Sequence, residues 1–394
     1  MTAVTKPRLT SVGNNPTRIW GMTNAERTRR IAKAQELDGG GDAGVMLAND
    51  DYAFDPAWSR YVAARPGSVL MLDGVPVLAH VDAAQADAVA AGMLDASSDA
   101  STALSTNAGS GASTSTPLES SAAPLASLTM IDASDPAGIY DDVLRKREKP
   151  FALQLTPDTV PAIERASYQG AYKGVTDLLT LYLWPVWAFH ITRLCARIGI
   201  SPNGVTAIGS VLCIVATVAF WYGWFWSGLA IGLVFMVLDT VDGKLARCTV
   251  TSSKLGNAWD HGVDLVHPPF WWWAWAAGCA PYGRPLTDET FWIVIGTMLF
   301  GYVAQRLIEG AFIVRFKMHI HVWQRFDSKF RLVTARRNPN MVILFASLLI
   351  LRPDWGIIGV AAWTAISLVV HFVRLLQAMT MKARGVPIVS WLAD

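Results

Sequence analysis

Residues 238–269, LDTVDGKLARCTVTSSKLGNAWDHGVDLVHPP, decide how this chain folds, because they place four aspartates between two long apolar runs. The four are Asp239, Asp242, Asp260 and Asp264. A charged side chain in an apolar segment is costly and usually marks a functional site. We therefore expect a membrane protein whose site is built from these acids.

The neighbouring runs belong to a series of apolar segments in the second half of the chain. Only 16% of the 394 residues are charged, whereas an ordinary soluble domain has about 25%. A membrane-spanning helix needs about 20 apolar residues. The sequence predicts an all-α membrane domain over 201–384 with six transmembrane helices, at 204–222, 225–247, 256–279, 290–314, 340–352 and 355–380.

Basic residues lie on one side of these predicted helices. The segment 315–337 carries seven lysines and arginines, and the turn at 221–226 carries none. Because positive charge marks cytoplasmic loops, we expect both termini in the cytoplasm and the protein in the inner or plasma membrane. The start of the chain has no apolar signal-peptide core, which agrees with this topology. A net charge of +2 gives no reason to expect a nucleic-acid partner.

The residues before the membrane domain are mixed and polar. Residues 1–95 predict a small cytoplasmic α/β domain, with a hairpin signal at Asp73-Gly74. Residues 96–128, rich in Ser, Thr and Ala, are interpreted as a flexible linker. Residues 129–200 form a cytoplasmic connector that ends in a helix lying in the membrane interface and broken near Pro185. The alternative for this last helix is a true first span.

Two features of the third predicted span concern its surroundings. The cluster WWWAW at 271–275 is expected to face lipid or a second subunit. His267 precedes Pro268-Pro269, and we expect it to make a hydrogen bond at a bend in the helix.

The spacing of the aspartates predicts that they converge. Asp239 and Asp242 are three residues apart and Asp260 and Asp264 are four apart, so each pair shares a helix face. The short loop 248–255 makes the two helices antiparallel, which brings the four carboxylates to a similar depth. Such a cluster needs a cation, and hard oxygen ligands suit Mg²⁺, Mn²⁺ or Ca²⁺.

The small and basic residues around the acids complete a pattern. The string Asp239-x2-Asp242-Gly243-x2-Ala246-Arg247-x8-Gly256-x3-Asp260-x3-Asp264 resembles the signature of the CDP-alcohol phosphotransferase family, with all eight signature residues present. The segment GISPNGVT at 199–206 also resembles the family's entry into its first membrane helix. The resemblance covers about residues 173–380.

This resemblance implies a membrane transferase that moves a phosphatidyl-type group from a CDP-linked donor, such as CDP-diacylglycerol, to an acceptor alcohol and releases CMP. It also implies a homodimer, and a place in phospholipid biosynthesis. The four aspartates would hold a divalent metal, Mg²⁺ or Mn²⁺, and Asp264 would also act as the general base. The implied contacts of the CDP moiety are Asp239, Asp242, Gly243, Ala246, Arg247 and Gly256.

The acceptor is less constrained by the sequence. Arg306, Arg336 and Arg337 are candidates for binding an acceptor phosphate. The alternatives are an internal ion pair of Arg306 with Glu309 and inner-leaflet anchoring by the other two arginines. Inositol or inositol phosphate is the first expectation for the acceptor, and glycerol 3-phosphate, serine or another polar alcohol is the second.

Two further alternatives concern the class of the protein and its N-terminal domain. A divalent-cation transporter would also place acids inside the membrane. The segments VLMLDGVPVLAHV at 69–81 and LRKREKP at 144–150 weakly resemble a nucleotidyltransferase domain that precedes the membrane part in some family members. The glycine-rich loop with a basic residue is missing, so the resemblance implies a degenerate, inactive domain that serves in assembly or regulation; an unrelated domain is the alternative.

Overall fold

The computed structural model of the chain describes residues 6–39, 43–107, 125–134, 139–141, 146–172 and 174–392. An α/β unit occupies the first part and a bundle of long helices the second. The helices are α1 Asn24–Gln35, α2 Pro56–Ala63, α3 Ala86–Asn107, α4 Val160–Gly170, α5 Trp184–Ile198, α6 Pro202–Trp221, α7 Phe225–Cys248, α8 Lys254–Gly278, α9 Asp288–Phe316, α10 Arg325–Arg331, α11 Arg337–Leu349 and α12 Pro353–Ala383. The strands are β1 Arg8–Val12, β2 Arg18–Ile19, β3 Met22–Thr23, β4 Val45–Asn49, β5 Tyr52–Phe54, β6 Ser68–Leu72, β7 Val75–Val81, β8 Thr129–Asp132, β9 Ile139–Asp141, β10 Lys146–Glu148 and β11 Ala152–Gln154.

The α/β unit is built on a five-stranded sheet with the order β1-β4-β7-β6-β8. β1 pairs with β4 and β6 with β8 in parallel, while β7 runs antiparallel to both of its neighbours. Apolar residues of α1 and α2 pack on one face of the sheet and those of α3 on the other. The predicted hairpin is confirmed at β6–β7, where Asp73 and Gly74 have φ of 49° and 81°, as a tight two-residue turn requires.

The structure differs from the predicted boundaries of this unit. Helix α3 continues to Asn107, well into the predicted linker, because its alanines favour helix and Ser97 is buried with its hydroxyl bonded to Asn49. β8 completes the five-stranded sheet, and β11 pairs with β5. The unit therefore includes residues assigned by the sequence to the linker and connector. Residues 108–124 of that predicted linker lie outside the described residues.

Six helices occupy the positions predicted for the membrane domain, namely α6, α7, α8, α9, α11 and α12. In the part of the chain that the structure describes, three of them, α6, α9 and α12, are long and apolar enough to cross a membrane. The other three are α7 and α8, which carry the aspartates, and α11, which has only 13 residues. Large apolar side chains such as Phe300 and Val369 are exposed along the outside of the bundle, as lipid contact requires.

Helix α8 continues through Pro268 and Pro269. A proline frees the carbonyl four residues earlier, and the hydroxyl of Tyr302 donates to the freed carbonyl of Leu265 at 2.9 Å. The expected hydrogen bond of His267 is present, from its Nδ1 to the carbonyl of Val263 at 2.6 Å.

The expectation for the tryptophan cluster is wrong. Trp271, Trp272 and Trp275 are each 3% exposed or less and belong to the core of the bundle. The indole Nε1 of Trp271 donates to the carbonyl of Cys213, and that of Trp275 donates to the carbonyl of Pro353. Buried indoles that find such acceptors are stable in a core, so these rings join helices rather than face lipid.

The segment before the bundle forms a single π-helical turn at Leu179–Leu183 followed by α5. Pro185 lies in the first turn of α5, where its missing N–H breaks no helical bond. With 15 residues, α5 is shorter than the length of about 20 needed to span a bilayer. It exposes Val186, Trp187 and Leu194 while its other face packs on the bundle, which suits the predicted interfacial position.

Candidate functional site

The aspartates meet at the end of α7 and the beginning of α8, next to the turn that joins the two helices. Carboxylate oxygens of Asp239, Asp260 and Asp264 lie within 4.8 Å of one another. The two helices make few direct contacts, and α6 packs against both of them. Three of the four aspartates that helical spacing predicted to converge therefore lie together, and α6 is part of the wall of the site.

Asp242 lies beside this group and faces α6. Its carboxylate accepts a hydrogen bond from the hydroxyl of Thr206 at 2.6 Å. A small cavity between the three helices is lined by Thr206, Asp239, Asp242 and Asp260. Thr206 belongs to the segment 199–206 whose resemblance to the family was noted, although the sequence did not single out this residue.

The cation beside these carboxylates in the structure is Arg337, the first residue of α11. Its guanidinium donates to Asp239 and to Asp264, each at 2.6 Å. The side chain of Arg337 is 14% exposed, that of Asp239 17% and that of Asp264 46%. Arg337, expected from the sequence to bind the acceptor, thus neutralises two acids of the predicted metal site.

The donor set fits a hard divalent cation. Three carboxylates can each supply an oxygen ligand within one small space, and in the structure a guanidinium supplies positive charge there. Mg²⁺ and Mn²⁺ prefer such oxygen ligands and share them with phosphate groups. The residues present therefore match the cation that the sequence predicted.

The remaining residues of the motif lie around the end of α7. The guanidinium of Arg247 folds back over Gly243, where a Cβ would come within 3.2 Å of its Nη2. Its Nε donates to the carbonyl of Ala171 at 3.1 Å. Ala246 is partly buried one residue earlier.

Gly256, near the start of α8, lies against the beginning of α6. A Cβ built on Gly256 would stand 2.2 Å from Oδ1 of Asn203 and 2.9 Å from Oγ of Ser253. A Cβ at this position would therefore displace the side chain of Asn203, another residue of the segment 199–206 that the sequence did not single out. Ser253 caps α8 by accepting a hydrogen bond from the Gly256 N–H at 3.0 Å.

A second buried polar cluster centres on Glu309 of α9. Its carboxylate pairs with Arg306 at 3.2 Å and with Nε2 of His321 at 3.3 Å, and it also pairs with Arg336. The internal pair of Arg306 and Glu309, left open as an alternative by the sequence, is present. One acid therefore holds two of the predicted acceptor-binding arginines.

This cluster has more buried donors than acceptors to receive them. Among the described residues, buried nitrogens of Arg306, Arg331 and His371 have no hydrogen-bond partner. Burial, together with the neighbouring Arg336, lowers the pKa of Arg331 to about 9. Burial also holds the pKa of His321 well below its ordinary value, so this histidine is neutral. The surplus of positive charge favours a negatively charged or oxygen-rich ligand.

An apolar groove runs between α6 and α8 and begins beside the aspartates. It has a volume of about 560 Å³ and includes Ser210 and Val263, which also line the small cavity. Its walls are otherwise mainly apolar, from residues such as Ile214, Val266 and Phe270. The groove connects the acidic site to the outer face of two helices.

Comparison with known proteins points to one family. The sequence model of the CDP-alcohol phosphatidyltransferase family matches residues 199–371. Cholinephosphotransferase 1 of Gallus gallus is 33% identical over 127 residues, which are 29% of this chain and 36% of that protein. Cholinephosphotransferase 1 of Danio rerio is 39% identical over 82 residues, or 18% of this chain and 22% of that protein.

An archaeal protein is also similar to this chain. Archaetidylinositol phosphate synthase of Pyrococcus horikoshii is 30% identical over 116 residues, which are 29% of this chain and 58% of that protein. This chain thus aligns with between 22% and 58% of the length of these three relatives.

Proposed function

Because residues 199–371 belong to the CDP-alcohol phosphatidyltransferase family, we propose that this chain transfers a substituted phosphate group from a CDP-linked donor to an acceptor alcohol and releases CMP. The observation that carries the proposal is the convergence of Asp239, Asp260 and Asp264 within 4.8 Å beside Arg247 and Gly256. The donor is CDP-diacylglycerol in this proposal, and the product is a phospholipid.

The chemistry follows from the charges involved. Attack on the donor pyrophosphate develops negative charge on the transferred group and on the departing CMP. Asp239, Asp242, Asp260 and Asp264 are the proposed ligands of a Mg²⁺ or Mn²⁺ ion, which when bound would neutralise that charge. Asp242 needs only to turn from Thr206 to take part, because it already lines the same cavity.

Asp264 is the proposed general base. Its side chain is 46% exposed and is the most accessible of the three clustered carboxylates. A base must reach the hydroxyl proton of the acceptor within hydrogen-bond distance. Proton removal by Asp264 makes the acceptor oxygen a nucleophile, and the oxygen displaces CMP directly.

The CDP moiety is proposed to lie between the ends of α7 and α8. Asp239, Asp242, Gly243, Ala246, Arg247 and Gly256 frame it in this proposal. The guanidinium of Arg247, which lies over Gly243, offers hydrogen-bond donors for the donor phosphates, and Gly256 faces the side chain of Asn203. The apolar groove between α6 and α8 begins at this place and suits the acyl chain of a lipid-linked donor.

The acceptor is proposed to carry an anionic or polyhydroxyl group. Arg306 and Arg336 lie together on Glu309, and Arg331, which the sequence did not single out as a ligand, adds an unpartnered buried nitrogen. Arg337 joins them once another cation neutralises Asp239 and Asp264. Inositol phosphate satisfies these donors best, and the Pyrococcus relative is named for a product that contains an inositol phosphate group. Glycerol 3-phosphate and serine are the alternatives.

Membrane topology and assembly are also proposals. The six helices α6, α7, α8, α9, α11 and α12 would span the membrane as three antiparallel pairs, with both termini in the cytoplasm. The basic segment 315–337 supports this orientation. A homodimer is proposed from the family resemblance.

The test is transfer by the purified chain in detergent. Labelled CDP-diacylglycerol is supplied with Mg²⁺ or Mn²⁺ and with inositol phosphate, inositol, glycerol 3-phosphate or serine in turn, and CMP and the lipid product are measured by mass spectrometry. We expect metal-dependent CMP release with one acceptor. CMP release from CDP-choline and diacylglycerol instead would reassign the donor. If no donor and acceptor pair gives CMP release, and the chain carries divalent cations across liposome membranes, the chain would be assigned as a transporter rather than a transferase.

A further inference from the structure

The α/β unit is bound to the turn between the two helices that carry the aspartates. Nη1 of Arg30, on α1, donates to the carbonyl of Thr249 at 2.9 Å. Glu26, one helical turn earlier, pairs with Arg30 at 2.5 Å and keeps its side chain in this direction. A residue near the start of the chain thus holds a backbone atom in the middle of the membrane domain's motif.

The next residue of the turn makes a second attachment. Val250 packs against the apolar cluster that α1 and α2 form with the sheet. Its φ is 52°, a left-handed conformation that is rare for a β-branched residue and costs about 1–3 kcal/mol. Here Val250 follows the end of α7, where the N–H of Thr251 donates to the carbonyl of Ala246 at 2.8 Å, and its side chain contacts the apolar cluster of the α/β unit.

The last turns of α7 are also contacted by the residues that link the α/β unit to the bundle. The carbonyl of Ala171, just after α4, accepts from Nε of Arg247 at 3.1 Å. The ammonium of Lys244 lies 2.8 Å from the ring centre of Tyr172. The end of α7 is therefore held by α1, by the sheet and by the residues after α4.

We propose that the α/β unit positions the nucleotide site, with Arg30 and Val250 as positioning residues. The turn they hold lies between Arg247 and Gly256, so its conformation sets the distance between the two sides of the site. This inference rests on the proposed function, because the proposed function places the CDP moiety against Arg247 and Gly256. It gives the N-terminal unit a part in the transfer reaction that requires no chemistry of its own.

Positioning makes a specific prediction about kinetics. A displaced turn weakens binding of the CDP-linked donor, while the aspartates that perform the transfer stay on their helices. The loss of one hydrogen bond to the Thr249 carbonyl in Arg30→Gln is expected to raise the KM for the donor about five-fold. The value of kcat should stay within about two-fold of the wild-type value.

The experiment compares variants of the full chain in detergent. Arg30→Lys keeps a donor for the Thr249 carbonyl and should restore most of the donor KM. Arg29→Gln is the matched control, since Arg29 is the adjacent arginine on α1 and is exposed. Val250→Ala shortens the side chain that packs on the α/β unit and should also raise the donor KM.

A second measurement does not depend on turnover. Amide hydrogen exchange over residues 246–256 should become faster in Arg30→Gln and Val250→Ala than in Arg29→Gln. An unchanged donor KM and unchanged exchange in both variants would overturn the positioning role while leaving the transferase intact. If the wild-type chain releases no CMP, the proposed function fails instead, and the exchange measurement still reports whether the α/β unit holds the turn.

Discussion

Arg337 offers the sharpest test of the site, because one side chain neutralises two acids. In Arg337→Gln the two hydrogen bonds of 2.6 Å to Asp239 and Asp264 are lost. Breaking a buried ion pair costs about 3–5 kcal/mol, and an exposed pair costs under about 1 kcal/mol. Asp239 is 17% exposed and Asp264 46% exposed, so most of the loss comes from Asp239. We expect the metal-free variant to lose about 3 kcal/mol.

The same change should strengthen the response to a divalent cation. A guanidinium that occupies two carboxylates competes with a metal for them, and its removal leaves the acids free to bind. Mg²⁺ should therefore stabilise Arg337→Gln more than the wild-type chain.

The assay is thermal unfolding in detergent, with EDTA and then with Mg²⁺. In EDTA the variant should unfold about 5–10 °C below the wild-type chain, and Mg²⁺ should recover a large part of this difference. Arg352→Gln is the matched control, because Arg352 pairs at 2.6 Å with Asp354 far from the aspartates. Equal unfolding temperatures in EDTA, or equal gains with Mg²⁺, would refute the view that Arg337 serves as the cation of this site.

Three further predictions concern other parts of the chain. Asp264→Asn should lower turnover by at least about 100-fold with binding of the CDP-linked donor retained; wild-type turnover would remove Asp264 as the base. Gly256→Ala should fold but bind the donor about ten-fold more weakly, because its Cβ, 2.2 Å from Asn203, displaces that side chain; an unchanged KM would contradict this. Burial raises the pKa of Asp50, which is 2% exposed, from 3.8 to about 7. The folded state therefore binds a proton that the unfolded state releases, and stability should fall as pH rises from about 4 to 7; exchange of the β4 amides measures this, and Asp50→Asn should remove the dependence.

Helical periodicity and the short turn predicted much of the convergence of the aspartates. Residues three or four apart share a face, and α7 and α8 are joined by a short turn, which agrees with the grouping of Asp239, Asp260 and Asp264, while Asp242 faces Thr206 of α6. The positions of the six helices α6, α7, α8, α9, α11 and α12 followed from apolar runs in the same local way.

Local patterns did not reveal which groups cover or neutralise these elements. Arg337 lies 73 residues from Asp264, and Arg30 lies 219 residues from Thr249. Contacts at such separations depend on how whole helices pack, and no periodicity in the sequence encodes them. The same holds for the linker boundary, where burial of Ser97 and pairing of β8 with β6 decided what belonged to the α/β unit.

The sequence by itself determined that the aspartates would lie close together in apolar helices and would need a cation, since charge and helical spacing are local properties. Only the tertiary structure decided that Arg337 supplies positive charge, that the tryptophans at 271, 272 and 275 are core rather than lipid-facing, and that the α/β unit holds the turn beside the aspartates. The physical reason is that hydrophobicity drives a side chain out of water without specifying whether lipid or protein covers it.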